Sequence, residues 1–264
     1  MRRRYGLGDL LREPRWLSVM SVLSMLLAWW CITAFAIVPE VLLPGPGEVV
    51  AATVDIVLHG YRETTLLQNV GSTLWRCGAG FFLAVLTGVP LGLAMGHRPG
   101  IKAAANYIVQ FMRPLPPLSY VILLIIWIGT DDRSKIVLLY ITAFPIVTSS
   151  AMAGVRAVSQ QRLQAARTLG ASEWQVFRHV ILPSALPMTF TGARIALAAA
   201  FSTVVAAELN AATDGLGWMV ISASRFLRND VIILGIILLG LLGILLSALL
   251  LALDRRVVHW RGIE

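Results

Sequence analysis

Charge is scarce in this chain. Only 14% of its 264 residues are Asp, Glu, Lys or Arg, against 57% hydrophobic, and the mean hydropathy is +0.77. That balance excludes an ordinary water-soluble domain and indicates an integral membrane protein. Cysteine is scarcer still. Cys31 and Cys77 lie in or beside apolar segments with no CxxC or Cys/His spacing, so they read as small core residues rather than a disulfide or zinc site. The pattern GxxxxGK[ST] is missing, and any ATP must therefore be hydrolysed by another chain. Paired carboxylates occur only as Asp131-Asp132, and His59, His97, His179 and His259 sit in unrelated segments. Neither pattern assembles an enzyme or metal constellation.

What the chain does have is apolar runs long enough to cross a bilayer. In a membrane its length suits about six spans plus loops. Residues 1–15 are basic and precede an apolar run at 16–38; that run exceeds the usual apolar core of a secretory signal and reads as a retained first span. Residues 39–72 open with Pro and Gly and continue as an amphipathic segment, with Val50, Val54, Val57 and Leu58 on one side of a short helix at 47–58 placed against the outer face of the bundle. The core, residues 73–253, begins with a Gly-studded second span at about 73–95. A third follows at 103–129, broken by Arg113-Pro114-Leu115-Pro116-Pro117, either a packed kink or part of a pathway lining. A short outer loop at 130–135 leads to a fourth span at 136–155 and, beyond a polar stretch, a fifth at about 186–207. Residues 208–230 read as a polar outer loop, 231–253 as a sixth span, and 254–264 as a basic tail.

Orientation follows from the cations. On this topology 15 of the 22 Lys and Arg face inward. Six face outward, Arg76 among them, and Arg194 lies within a span. The inward excess satisfies the positive-inside rule, so the net charge of +8 is a topology signal and needs no nucleic acid to explain it.

The longest polar interruption in the second half is SQQRLQAARTLGASEWQVFRHVILPSALP, residues 159–187. Leu163, Ala166 and Leu169, then Trp174, Phe177, Val180 and Ile181, recur at helical steps. Gly170 separates the runs and Ser172 is a good N-cap, which predicts two short helices with a turn at 169–171, closed by Pro183. The run QAARTLGAS followed by LP resembles the cytoplasmic coupling loop (the "EAA" loop) of permease subunits in binding-protein-dependent ATP-binding-cassette importers. Ala165, Ala166, Gly170, Ala171, Leu182 and Pro183 match, and Gln164 stands where that family usually has Glu. VVAAELNAATDGLGWMVISASRFLRNDVIILGI and RPLPPLSYVILLIIWIG are similar to permeases for taurine, aliphatic sulfonates and nitrate, taurine permeases above all. Departures occur at Tyr120-Val121-Ile122 and at Asp214.

The resemblance implies an all-α, six-span permease of the type I importer (MetI-like) fold in a bacterial inner membrane, with both termini cytoplasmic. It implies a homodimer, each subunit docking a cytoplasmic ATPase that carries ATP and Mg, with no cofactor on this chain. A periplasmic binding protein would deliver the solute. It assigns coupling to Leu163, Gln164, Ala165, Ala166, Leu169, Gly170, Ala171 and Pro183 in the loop at 159–183. Polar residues within spans are the candidates for a pathway or gate because desolvating them is costly: Ser149, Arg194, Ser202, Thr203, Glu208 and Asn210. Arg194 also fits a membrane anchor, Ser202 and Thr203 fit bonds to their own helix, and Glu208 fits a boundary residue or a group bonded inside the bundle. An ion-coupled secondary transporter is the alternative outside this class. It needs intramembrane carboxylates or repeated broken helices, and the sequence offers one break and Glu208.

Overall fold

The computed structural model describes residues 15–260, and their regular structure is helical. The helices are α1 (Arg15–Ala34), α2 (Pro46–His59), α3 (Leu66–His97), α4 (Pro99–Met112), α5 (Leu118–Ile128), α6 (Asp132–Arg156), α7 (Gln160–Thr168), α8 (Glu173–Val176), α9 (Leu182–Ala211), α10 (Leu216–Ser224) and α11 (Asn229–Val257); a π-helical turn at Phe177–Ile181 joins α8 to α9. Among the described residues, four stretches are long and apolar enough to cross a membrane: Leu66–His97, Asp132–Arg156, Glu173–Asn210 and Asn229–Val257. Val19–Ala34 and Leu118–Ile128 are shorter apolar helices. Eleven residues of α5 rise only about 16 Å, so the expected third span needs α4 as well, across the break at 113–117.

The bundle centres on α6, which packs most extensively on α3 and then on α9. Glycines let α3 approach: a Cβ at Gly80, Gly88, Gly92 or Gly96 would press into Leu139, Thr148, Thr148 with Ala151, and Val155 respectively. The buried layer between these helices is made of small and medium side chains, Cys77, Ala84, Leu139, Ala143, Val147, Ala196, Ala200 and Val204. Lipid supplies no hydrophobic drive for helices to associate, so close backbone approach and dispersion contacts hold such a bundle together. By contrast α11 displays Ile236, Leu241, Ile244, Leu249 and Leu253 outward, a surface suited to hydrocarbon.

Several boundaries differ from the sequence reading. The second-span helix starts at Leu66, where Thr65 and Gln68 form a reciprocal capping box, and so runs through residues 72 and 73 without a break. On α2 the buried residues are Val49, Ala52 and Ile56, whereas Val50, Val54, Val57 and Leu58 are exposed. Val50, Val54, Val57 and Leu58 do share one side, but both faces are apolar and hydrophobic spacing alone does not choose the buried one. The loop expected at 130–135 is shorter, because α6 begins at Asp132 and buries Ser134 and Lys135. The stretch 208–230 is no polar loop: α9 carries Glu208, and α10 buries Leu216, Met219 and Ala223 against α2 and α11. At the break after α4, Arg113, Pro114 and Pro116 are exposed, so it is not a kink packed within this chain.

Candidate functional site

Two clusters stand at opposite ends of α9. The first is the elbow at 159–183. Ser159 caps α7 by accepting from the Arg162 N–H, and the helix ends in a Schellman motif: Gly170, at φ +79°, donates to the Arg167 carbonyl at 3.0 Å and Ala171 to that of Ala166 at 3.1 Å. Ser172 and Gln175 form a capping box that starts α8, and Arg167 pairs with Glu173 across the turn at 3.0 Å. The two short helices and the turn at 169–171 are thus present, with Gly170 in the left-handed region that favours glycine.

Two features of the elbow differ from expectation. Pro183 does not close it. The π turn at Phe177–Ile181 widens the backbone just ahead of Pro183, and the helix continues through Pro183 and Pro187 into α9. Leu163 and Ala166 do not project freely either; they are half-buried and pack toward Leu93, Val155, Val176 and Ile181. What the elbow exposes is Gln164, Ala165, Leu169 (88%) and Trp174 (65%), an apolar pair on a polar rim.

The second cluster lies at the far end, about 40 Å along α9 by helical rise. Glu208, fully buried, receives the Arg76 Nη1 at 2.9 Å, the Thr73 hydroxyl at 2.9 Å and the Gly217 N–H at 2.9 Å. Arg76, 2% exposed, also donates from Nε to Asp132 at 2.7 Å, from Nη1 to the Asp214 carbonyl at 2.9 Å, and from Nη2 to the Asp214 carboxylate. Ser72 donates to Asp214 at 2.5 Å, and the N–H groups of Gly215 and Leu216 bond Asn69 Oδ1 and Thr73 Oγ1. At the start of α10 the Gly217 amide alone reaches the carboxylate, while those of Gly215 and Leu216 hold Asn69 and Thr73, and the N-terminal end of the helix adds its favourable dipole to the guanidinium. Glu208 is a bonded interior group, not an ordinary boundary residue. Arg76 is no outward surface cation, which leaves its charge to the bundle. Lys135, likewise counted outward, is buried and donates to the Thr130 carbonyl at 2.9 Å. A cavity of about 660 Å³ opens beside the cluster, lined by Arg76, Asp132, Lys135 and Asp214.

Asn69, Thr73 and Arg76 lie at i, i+4 and i+7 on α3, one helical face. That polar stripe was readable in the sequence, but its partners on other helices and loops, 56 to 146 residues away, were not. The other candidates scatter. Ser149 and Arg194 are half-buried, exposed Ser202 and buried Thr203 bond back to the carbonyls of Ala198 and Ala199, and exposed Asn210 bonds that of Ala206.

Asp214 lies beyond the spans, and its titration has a definite sign. Burial alone pushes its carboxyl up, but the hydrogen bonds from Ser72 and Arg76 and the charges of Arg76 and Lys135 outweigh it and hold it below the usual range. A folded-state pKa below the unfolded value gives stability that is present above about pH 4 and lost as pH falls through the depressed value. The stability advantage of the native protein over Asp214→Asn is expected to be constant from neutral pH to about 4 and to shrink in stronger acid. Melting curves across pH measure it, and an advantage that instead grew on acidification would contradict the assignment.

The family described as "Binding-protein-dependent transport system inner membrane component" matches residues 88–259, which include the whole elbow, Glu208 and Asp214 but not Arg76. The chain is 42% identical over 247 residues to the taurine transport system permease protein TauC of Escherichia coli (strain K12), covering 93% of this chain and 90% of that protein. It is 29% identical over 262 residues to the putative aliphatic sulfonates transport permease protein SsuC of Bacillus subtilis (strain 168), covering 99% and 90%. Its fold matches a chain of the MetNI methionine ABC transporter in an inward-facing conformation with a TM-score of 0.61 and 23% identity, over 74% of this chain and 94% of that one. A polytopic helical bundle with a capped polar elbow at one end, matched by this family over most of its length, belongs to the inner membrane components of binding-protein-dependent transport systems and has the MetI-like permease fold of ATP-binding-cassette importers.

Proposed function

We propose that this chain forms the translocation pathway of an ATP-driven importer for a small sulfonate such as taurine. It works as a homodimer, with a cytoplasmic ATPase docked on the elbow at 159–183 and a soluble binding protein delivering solute to the opposite end. ATP and Mg bind the ATPase. Closure of the ATPase pair moves the elbow, and α9, continuous with it, carries the motion across the membrane. The likeness to the taurine permease over nearly the whole chain supports the substrate class. The observation that carries the coupling role is the elbow itself: a rigidly capped turn that leaves Leu169 and Trp174 outside its own bundle. The basic excess of the same segment supports a cytosolic position for it.

Gly170→Arg tests this reading. No atom lies within 4 Å of a Cβ built at Gly170, so the substitution meets no clash; its φ of +79° makes any side chain strained by about 1–2 kcal/mol, and the arginine projects from the docking face. The variant is expected to insert normally and to lose ATP-driven uptake of labelled taurine, with Gly170→Ala only mildly impaired. Normal uptake by Gly170→Arg counts against the coupling role. The likeness to sulfonate and nitrate permeases makes alkanesulfonates and nitrate the competitors to include.

A further inference from the structure

The junction between the elbow and α9 lacks two backbone donors. Pro183 offers no N–H to the carbonyl of His179, and Pro187 offers none to the carbonyl of Pro183. The turn just before them is π-helical, with the Leu182 N–H reaching back to the Phe177 carbonyl. A wide turn followed by two missing bonds is where a long helix bends most easily.

The segment that follows α11 returns to this point at Trp260. Asp254 and Val258 are buried at 2% and 3% exposure, and the Val258 N–H closes the end of α11 on the Asp254 carbonyl at 2.8 Å. The chain then places Trp260 so that its indole Nε1 donates to the Pro183 carbonyl at 3.2 Å, across 77 residues of sequence. That carbonyl is the one Pro187 leaves without its helical donor. We infer that Trp260 is a strap over the hinge, a positioning residue that holds the elbow at a fixed angle to α9. Movement received at the elbow then passes into the span instead of being absorbed by bending at 177–187. This rests on the coupling role proposed for 159–183.

Trp260→Phe keeps an aromatic ring but removes the Nε1–H donor together with the second ring of the indole. In nanodiscs, backbone amides of 177–191 in this variant are expected to exchange hydrogen roughly two- to ten-fold faster, the range that one net hydrogen bond gives. In proteoliposomes with the ATPase and binding protein, more ATP is hydrolysed per labelled taurine carried, while basal hydrolysis is unchanged. Pro187→Ala supplies an N–H that can bond the Pro183 carbonyl within the helix. The double variant Trp260→Phe/Pro187→Ala is therefore expected to return both readouts toward the native values, a rescue that mere space-filling by the tail does not predict. Unchanged exchange in Trp260→Phe, or faster exchange that Pro187→Ala fails to correct, overturns the strap. Gly170→Arg separates the two ideas. If it abolishes uptake while Trp260→Phe leaves ATP per taurine unchanged, the positioning role fails and the coupling role survives; if it leaves uptake intact while the exchange rescue holds, the coupling role fails and the strap remains.

Discussion

Arg76→Ala is expected to destabilise the protein by about 3–5 kcal/mol, the cost of removing one partner of a buried ion pair. The size follows from what stays behind. Glu208 has no solvent access, so the lost guanidinium leaves its charge with only the Thr73 hydroxyl and the Gly217 amide, while Asp132 and Asp214 lose their shared partner and still repel one another. Glu208→Gln is expected to cost less, because an amide keeps the acceptor and leaves Arg76 two carboxylates. Arg76→Met combined with Glu208→Leu should recover much of the loss, since replacing a whole buried pair by apolar groups is far cheaper than breaking it. Thermal unfolding in nanodiscs resolves these differences, with Arg76→Ala displaced downward by about 10 °C on the scale of a domain this size. If Arg76→Ala melted with the native protein, the cluster would have no structural role. The taurine uptake of the apolar double variant then asks whether charge, as distinct from packing, matters at this end of the bundle.

The second large effect is expected on α3. A methyl at Gly92 meets the Thr148 carbonyl and, at 2.8 Å and 3.1 Å, the Ala151 Cβ and the Met152 amide. Two of these are backbone atoms of α6 and cannot rotate aside, so the helices must separate along their main contact. Gly92→Ala is expected to cost about 1–3 kcal/mol, and a larger side chain more. Gly78, on the same helix with nothing within 4 Å of its Cβ, is the internal control: Gly78→Ala is expected to be neutral or to stabilise by up to about 1 kcal/mol through helix propensity. Opposite signs for the same chemical change on one helix read out which face carries the contact. Equal effects would mean that α3 does not pack as described.

Particular residues mark where sequence reading reached and where it stopped. The elbow was legible because its signals are local: apolar residues at helical steps, a Gly between the two runs and the Ser172 N-cap after it fix the backbone within a few residues of themselves. Pro183 misled because proline's local rule ends helices, and a π turn two residues earlier relaxed that rule. The side of α2 that is buried was not legible, since Val49, Ala52 and Ile56 together are no more apolar than Val50, Val54, Val57 and Leu58, and only the position of α10 and α11 chooses between them. Lys135 and Arg76 read as surface cations because a charge near a span end is normally solvated; their partners come from other helices.

The sequence by itself determined that this protein lives in a membrane, where its long apolar helices lie along the chain, and that residues 159–183 form an elbow of short helices, because hydropathy and capping are properties of short stretches. Tertiary structure alone decided that Glu208 is a counter-ion, that α3 and α6 touch through glycine, and that Trp260 meets Pro183. Each of these depends on which helices become neighbours, and neighbours distant in the chain are chosen by the sum of all the packing contacts rather than by any segment's own preference.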